Sequence, residues 1–148
     1  ASDVYKRQVA MLGATEIDGK NIKDFVKQGK ISKEKLDQII DRTKKGGAEI
    51  VKFLEKGSAF YAPAASGVEM AESYLKDLKK QLPCAAYLSG EYSTKDIYAG
   101  VPVIIGSGGV EKIVEIELSR EEKVNFEKSV SSVKDLFEAA KKIDKSLS

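Results

Sequence analysis

Between residues 32 and 54 the chain carries one continuous helical stripe. Leu36, Ile39, Ile40, Thr43, Gly47, Ile50, Val51 and Leu54 recur at the i, i+3, i+4, i+7 spacing that puts them on a single face. Ser32 stands where an N-cap belongs, and Ile31 and Leu36 occupy the positions of a hydrophobic staple. Gly46-Gly47 lies in mid-pattern, where glycine disfavours a helix by roughly 1 kcal/mol each relative to alanine. The stripe keeps its phase across the pair, so a kink or a close neighbour is expected there. A second helix is expected to open at Pro63, with Ala64, Val68, Ala71, Leu75 and Leu78 on its apolar side. Between the two helices lies Gly57-Ser58-Ala59-Phe60-Tyr61-Ala62, a corner of small residues beside two aromatics. Small side chains there suit either close packing or the approach of a ligand.

Upstream, Glu16-Ile17-Asp18-Gly19-Lys20-Asn21 is a turn signal, and Asn21 can cap a short helix carrying Ile22, Phe25 and Val26. After Lys80 the period changes from 3.6 to 2. Three strands are expected, at Pro83 to Leu88, Ile97 to Ile105 and Val110 to Leu118, with Gly106-Ser107-Gly108-Gly109 as the tight turn between the last two. Val114, Ile116 and Leu118 alternate with Glu115 and Glu117, giving one buried and one wet face. Val101 and Val103 to Ile105 form a denser run that implies cover on both faces, while Pro102 argues for an edge strand or a bulge. Ser119-Arg120-Glu121-Glu122 is a capping box opening a last helix lined by Phe126, Val130, Val133, Phe137 and Ala140. Helices, then three antiparallel strands, then a helix define an α+β fold, with long helices packed on an antiparallel sheet.

Composition narrows the function classes. The chain has 148 residues, 42% of them hydrophobic and 32% charged, enough for one domain with a real core. Its 25 basic and 23 acidic residues are interspersed, and the basic ones are nearly all Lys, with Arg at positions 7, 42 and 120. Base and phosphate readout favours the guanidinium fork, so a nucleic-acid partner is not expected. No apolar run reaches membrane-spanning length, and no signal-peptide core is visible. Cys84 is the single cysteine, which rules out an internal disulfide and fits a reducing, cytoplasmic setting.

Histidine is absent. The chain therefore has no side chain whose ordinary pKa lies near neutrality, and acid–base chemistry would need a strongly shifted Lys, Asp or Glu. A His-type metal site is excluded, and one Cys cannot build a zinc site. Gly106 to Gly109 lacks the third glycine and the following helix of a dinucleotide loop, so a hairpin is expected. Cys84 reads as a buried, inert thiol and Glu115 and Glu117 as a solvated face, as do the Lys runs at 76–80 and 141–145. Neither catalytic nor cofactor-binding nor metal residues are assigned. Residues 1–8, ASDVYKRQ, break the pattern and are read as a foreign junction, leaving 9–148 as the domain.

GGAEIVKFLEKGSAFYAPAASGVEMAESYLKD and LPCAAYLSGEYSTKDIYAGVPVIIGSGGVEKIVEIELSREE resemble the C-terminal part of the bacterial NAD-dependent malate dehydrogenases, within the lactate/malate dehydrogenase superfamily. The resemblance covers Val9 to Ala140. It implies a C-terminal substrate and oligomerisation domain with the lactate/malate dehydrogenase C-terminal fold. An N-terminal Rossmann domain that binds NAD would lie upstream, with malate and oxaloacetate turned over between the two in a homodimer or homotetramer. The family's proton-carrying His sits in a Gly-His-Gly-Asp type motif just upstream of the segment matching Val9-Ala10-Met11-Leu12, where this chain has ASDVYKRQ. Its Asp partner and the carboxylate-binding Arg residues lie further upstream. One position carries over: Ser58-Ala59 matches the place where lactate enzymes present a Thr to the substrate, and the smaller Ala59 would admit a bulkier, dicarboxylate end. A lactate or other 2-hydroxy acid enzyme of the same superfamily is the near alternative. A non-catalytic module that binds a partner through the Leu36–Leu54 helix is the distant one.

Overall fold

The computed structural model describes residues 9–147. The junction reading of residues 1–8 lies outside them. The elements run in the order β1 (Glu16–Ile17), β2 (Lys20–Asn21), α1 (Ile22–Lys27), α2 (Lys33–Leu54), α3 (Tyr61–Leu75), β3 (Lys80–Ser89), β4 (Lys95–Gly106), β5 (Gly109–Ile113) and α4 (Arg120–Ile143). The α+β class read from the sequence is the one observed. The chain divides into two units: residues up to Ala59 together with Glu117–Ser129, and Phe60–Ile116 together with the chain from Val130 onward.

In the first unit β1 and β2 form a minimal hairpin, Ile17 opposite Lys20, closed by Asp18 and Gly19 at φ 50° and 72°. This is the Asp-Gly turn whose left-handed pair matches strand twist. Asn21 caps α1 by accepting the Lys23 N–H at 2.9 Å, and Ser32 caps α2 by accepting the Lys35 N–H at 3.1 Å. α2 runs through Gly46-Gly47 unbroken, and a Cβ built at Gly46 would meet nothing within 4 Å. The expected break or close neighbour is therefore not found at Gly46. The α2 stripe is also not a core: Leu36 is buried, whereas Ile39, Ile50, Val51 and Leu54 are exposed. The buried centre of this unit is Ile22, Leu36 and Phe126, with the Glu122 carboxylate among its buried groups.

The second unit is built on the antiparallel sheet β3-β4-β5. Over residues 84–88 and 97–105 every second residue is buried: Cys84, Ala86 and Leu88 on β3, and Ile97, Ala99, Val101, Val103 and Ile105 on β4. The opposite face of the Val101–Ile105 run is half-buried at Pro102 and Ile104, so cover on both faces is incomplete. α3 opens at Tyr61, two residues before Pro63, which sits in the first turn where its missing N–H is not required. Ser73 ties α3 to the sheet. Its buried Oγ donates to the Ile105 carbonyl at 2.7 Å and accepts the Lys80 N–H at 3.2 Å. The stripe expected to bury α3 does not do so, because Ala64, Val68, Ala71, Leu75 and Leu78 are all exposed.

Pro102 lies in the central strand, not at an edge, and the register explains how. It pairs with Pro83 on β3, while its carbonyl accepts the Val114 N–H at 2.8 Å from the other side. Its ring nitrogen therefore points toward the segment after β5, where the ladder has already ended at Val103 opposite Ile113. The third strand stops at Ile113 and does not reach Leu118, since Pro102 has no N–H to return to Val114. The Tyr92 hydroxyl supplies that bond, donating to the Val114 carbonyl at 2.7 Å and accepting the Ile116 N–H at 3.0 Å. Residues 114–118 keep the expected alternation, half-buried at Val114, Ile116 and Leu118 and exposed at the two Glu.

Candidate functional site

The corner singled out in the sequence is built by a helix end and a helix start. α2 terminates at Leu54 with Glu55 in a left-handed conformation, φ 57°, and Gly57 at φ 103° turns the chain again. This places Ser58 in solvent and Ala59 half-buried at the end of the first unit. At the start of the second, Phe60 and Tyr61 stack at 4.7 Å between ring centroids, tilted by 31°, and Tyr61 is 79% exposed. Ser58 and Ala59 bring no ionisable group to this corner.

The Gly-rich turn is a hairpin, and its amides are in use. The Asp77 carboxylate accepts the Ser107 N–H at 2.9 Å and the Glu111 carboxylate accepts the Gly108 N–H at 3.2 Å. Lys79 bridges both, at 3.3 Å to Asp77 and 2.8 Å to Glu111. The Ser107 amide and then Lys79 hold the Asp77 carboxyl below the usual carboxylate range; Lys79 and then the Gly108 amide do the same for Glu111. The loop binds anions, but they are the protein's own carboxylates. A dinucleotide pyrophosphate would meet negative charge there, so this loop does not fit NAD.

The remaining candidates resolve as structural. Cys84 is buried, and burial pushes its thiol pKa up, away from a nucleophile's range. Glu115 accepts the Tyr92 N–H at 2.7 Å. Among the described residues no group of three or more His, Cys, Asp and Glu is placed to hold a metal ion, and no helix is long and apolar enough to cross a membrane. An open groove of about 430 Å³ on the second unit went unnoticed in the sequence; its lining includes Ala85, Tyr87, Tyr98, Glu91 and Lys112. Tyr87 and Tyr98 meet edge to face at 5.4 Å, and Tyr87 donates to Asp96 at 3.2 Å. The register pair of tyrosines was the available signal. The Glu91 carboxylate is already spent on the Ser89 N–H, so the groove has walls but no poised acid or base.

Glu122 was legible as half of a capping box, and the box is formed. Ser119 N–H donates to Glu122 Oε2 at 2.9 Å, and Glu122 N–H donates to Ser119 Oγ at 3.3 Å. Its second oxygen does something the pattern did not show: Oε1 accepts the Gly13 N–H at 2.9 Å. Burial disfavours the charged form of this carboxyl, but the Gly13 and Ser119 bonds outweigh it and hold the pKa below the usual value.

The fold defines an α+β domain of helices packed on an antiparallel sheet. The family model for the lactate/malate dehydrogenase, alpha/beta C-terminal domain matches residues 6–143, and the chain belongs to that family. It is 63% identical over 134 residues to a malate dehydrogenase of Pelagibacter ubique (strain HTCC1062), covering 90% of this chain and 42% of that protein. It is 57% identical over 139 residues to a malate dehydrogenase of Caulobacter vibrioides (strain NA1000 / CB15N), covering 94% and 43%. Among solved structures, Cryptosporidium parvum malate dehydrogenase superposes with a TM-score of 0.88 at 46% identity, over 92% of this chain and 43% of that one. Eimeria maxima lactate dehydrogenase, solved with NADH and oxamate, gives 0.87 at 40% identity, over 90% and 42%. The chain thus spans less than half the length of the relatives it matches, and it corresponds to their C-terminal part.

Proposed function

We propose that this chain is the substrate domain of a cytoplasmic, NAD-dependent enzyme that interconverts malate and oxaloacetate. The observation that carries the reading is identity: 63% and 57% to two malate dehydrogenases and, among solved structures, 46% to a malate dehydrogenase against 40% to a lactate dehydrogenase. The domain supplies a pocket wall at Ala59 and Ser58, and a frame for catalytic groups carried upstream. NAD is held by the upstream domain; the described residues of this chain offer it no cradle. The exposed faces of α2 and α3, with Ile50 46% and Val68 68% exposed, support a homodimer or homotetramer in which a neighbouring surface covers them. By itself the chain neither oxidises malate nor binds NAD tightly.

The test is a full-length enzyme made by joining residues 9–148 to the upstream part of the Pelagibacter ubique malate dehydrogenase. NADH formation from malate is expected, and none from residues 9–148 alone. Ala59→Thr in that enzyme should lower kcat/KM for malate by about tenfold or more, in the range that one or two extra heavy atoms exact in a fitted pocket. Lack of turnover by the joined enzyme, or turnover by the chain alone, overturns the reading.

A further inference from the structure

We infer that Glu122 is a positioning residue, whose carboxylate fixes the backbone at Gly13 and so sets the path of residues 10–15. The inference rests on the functional reading above and adds a residue to it. A capping-box glutamate needs one oxygen for the N–H of its own cap residue. Glu122 spends Oε2 that way, on Ser119, and Oε1 on Gly13, 109 positions away in sequence. It is 7% exposed. A charged acceptor shielded from water makes the stronger kind of hydrogen bond.

The same peptide is gripped from a second side. Asn21 Nδ2 donates to the Leu12 carbonyl at 3.2 Å and to the Gly13 carbonyl at 2.8 Å, while its Oδ1 caps α1. Both grips therefore come from helix caps, and each cap uses its spare polar atoms on residues 12–13. Among the described residues, the other hydrogen bonds between Ala10 and Thr15 are local, such as Ala14 N–H to the Met11 carbonyl at 3.1 Å, apart from Ile22 N–H to the Thr15 carbonyl at 2.9 Å. The path of this segment is thus set by two side chains. Gly13 is part of the arrangement, since a Cβ there would stand 3.3 Å from Glu122 Oε2 and push the carboxylate back. On the functional reading, the group that takes the proton stands just upstream of Val9. A backbone fixed at residues 12–13 then governs where that group points, and small displacements of a reacting group are expensive: about 1 Å costs up to ~100-fold.

The test uses the joined full-length enzyme. Glu122→Gln keeps the size but offers one acceptor, so either Gly13 or Ser119 loses its partner. Expected are a fall in kcat of about tenfold or more with KM for NAD unchanged, and a primary deuterium isotope effect on kcat with C2-deuterated malate that rises. The isotope effect separates positioning from stability, because a partly unfolded enzyme loses active fraction without changing which step is slow. Asn21→Ala, which frees the same peptide from the other side, should give the same signature if Glu122→Gln does not fold. Ser119→Ala loosens the α4 cap but leaves the Gly13 bond, and should leave the isotope effect at the parent value. An unchanged isotope effect in Glu122→Gln and Asn21→Ala, beside a parent that turns over malate, overturns this inference alone. A parent without turnover overturns it together with the functional reading.

Discussion

The β3–β4 face and the α2 stripe make an informative pair. Both show apolar residues at the period of their element, and both read in the sequence as core. On the sheet the pattern is fulfilled within the chain, with Leu88 and Val103 at 0% exposure. On α2 it is fulfilled at Leu36 and then abandoned, leaving Ile39, Ile50, Val51 and Leu54 in solvent. Periodicity records that a face is to be covered; it does not record which polypeptide supplies the cover. A contiguous exposed apolar stripe of this kind is a mark of an association surface.

The sharpest way to break the comparison is to truncate one residue from each side. Leu88→Ala should cost about 2–5 kcal/mol, the range for emptying a closed core position, whereas Ile50→Ala should cost about 0.5 kcal/mol or less in the dissolved chain. Urea unfolding of the two variants checks this, and equal losses would mean that α2 is covered after all. Next comes Tyr92→Phe. It strips the hydroxyl that stands in for the missing Pro102 N–H and leaves the Val114 carbonyl and Ile116 N–H without their Tyr92 bonds, for about 1–3 kcal/mol by the same measurement.

Acid should then separate the two units. The Glu122 carboxyl titrates below its unfolded value of ~4.3, so its contribution is complete above that pH and drains as pH falls through the folded value. Amide exchange followed from pH 7 to pH 3 should show protection around Phe126 and Leu36 fading before protection at Val103. With no histidine in the chain, stability should stay flat between about pH 5.5 and 8. The smallest effect is expected at the corner before β4, where Tyr92 and Ser93 are left-handed at φ 52° and 55°. Ser93→Gly relieves one of them and should stabilise the chain by up to ~1 kcal/mol, read as a shift in the urea midpoint.

Much of the architecture was legible from local chemistry. The Asn21, Ser32 and Ser119 caps, the β4–β5 hairpin and the buried Cys84 each follow from residues a few positions apart. What escaped depends on partners far away in sequence. Nothing near Ser73 says that its hydroxyl will join α3 to two strands, and nothing near Tyr92 says that a proline ten residues on will need a substitute donor. The strand expected to reach Leu118 failed for that same reason. At the candidate corner, Ser58 and Ala59 were legible as a small-residue turn, and the substrate role proposed for them rests on resemblance. The Glu122–Gly13 bond lay outside any local pattern, because a capping box accounts for one carboxylate oxygen and is silent about the other.

The facing prolines have one more consequence. Pro102 aims its nitrogen away from β3, so its register partner Pro83 must aim its own the other way, out from the open edge of the sheet. That edge is ten residues long, a template on which a strand from another molecule could grow. The proline interrupts the row of donors near its middle, so a foreign strand cannot zip along its whole length. Pro102 ends β5 early on one side of the sheet, and its register partner Pro83 guards the other side against aggregation.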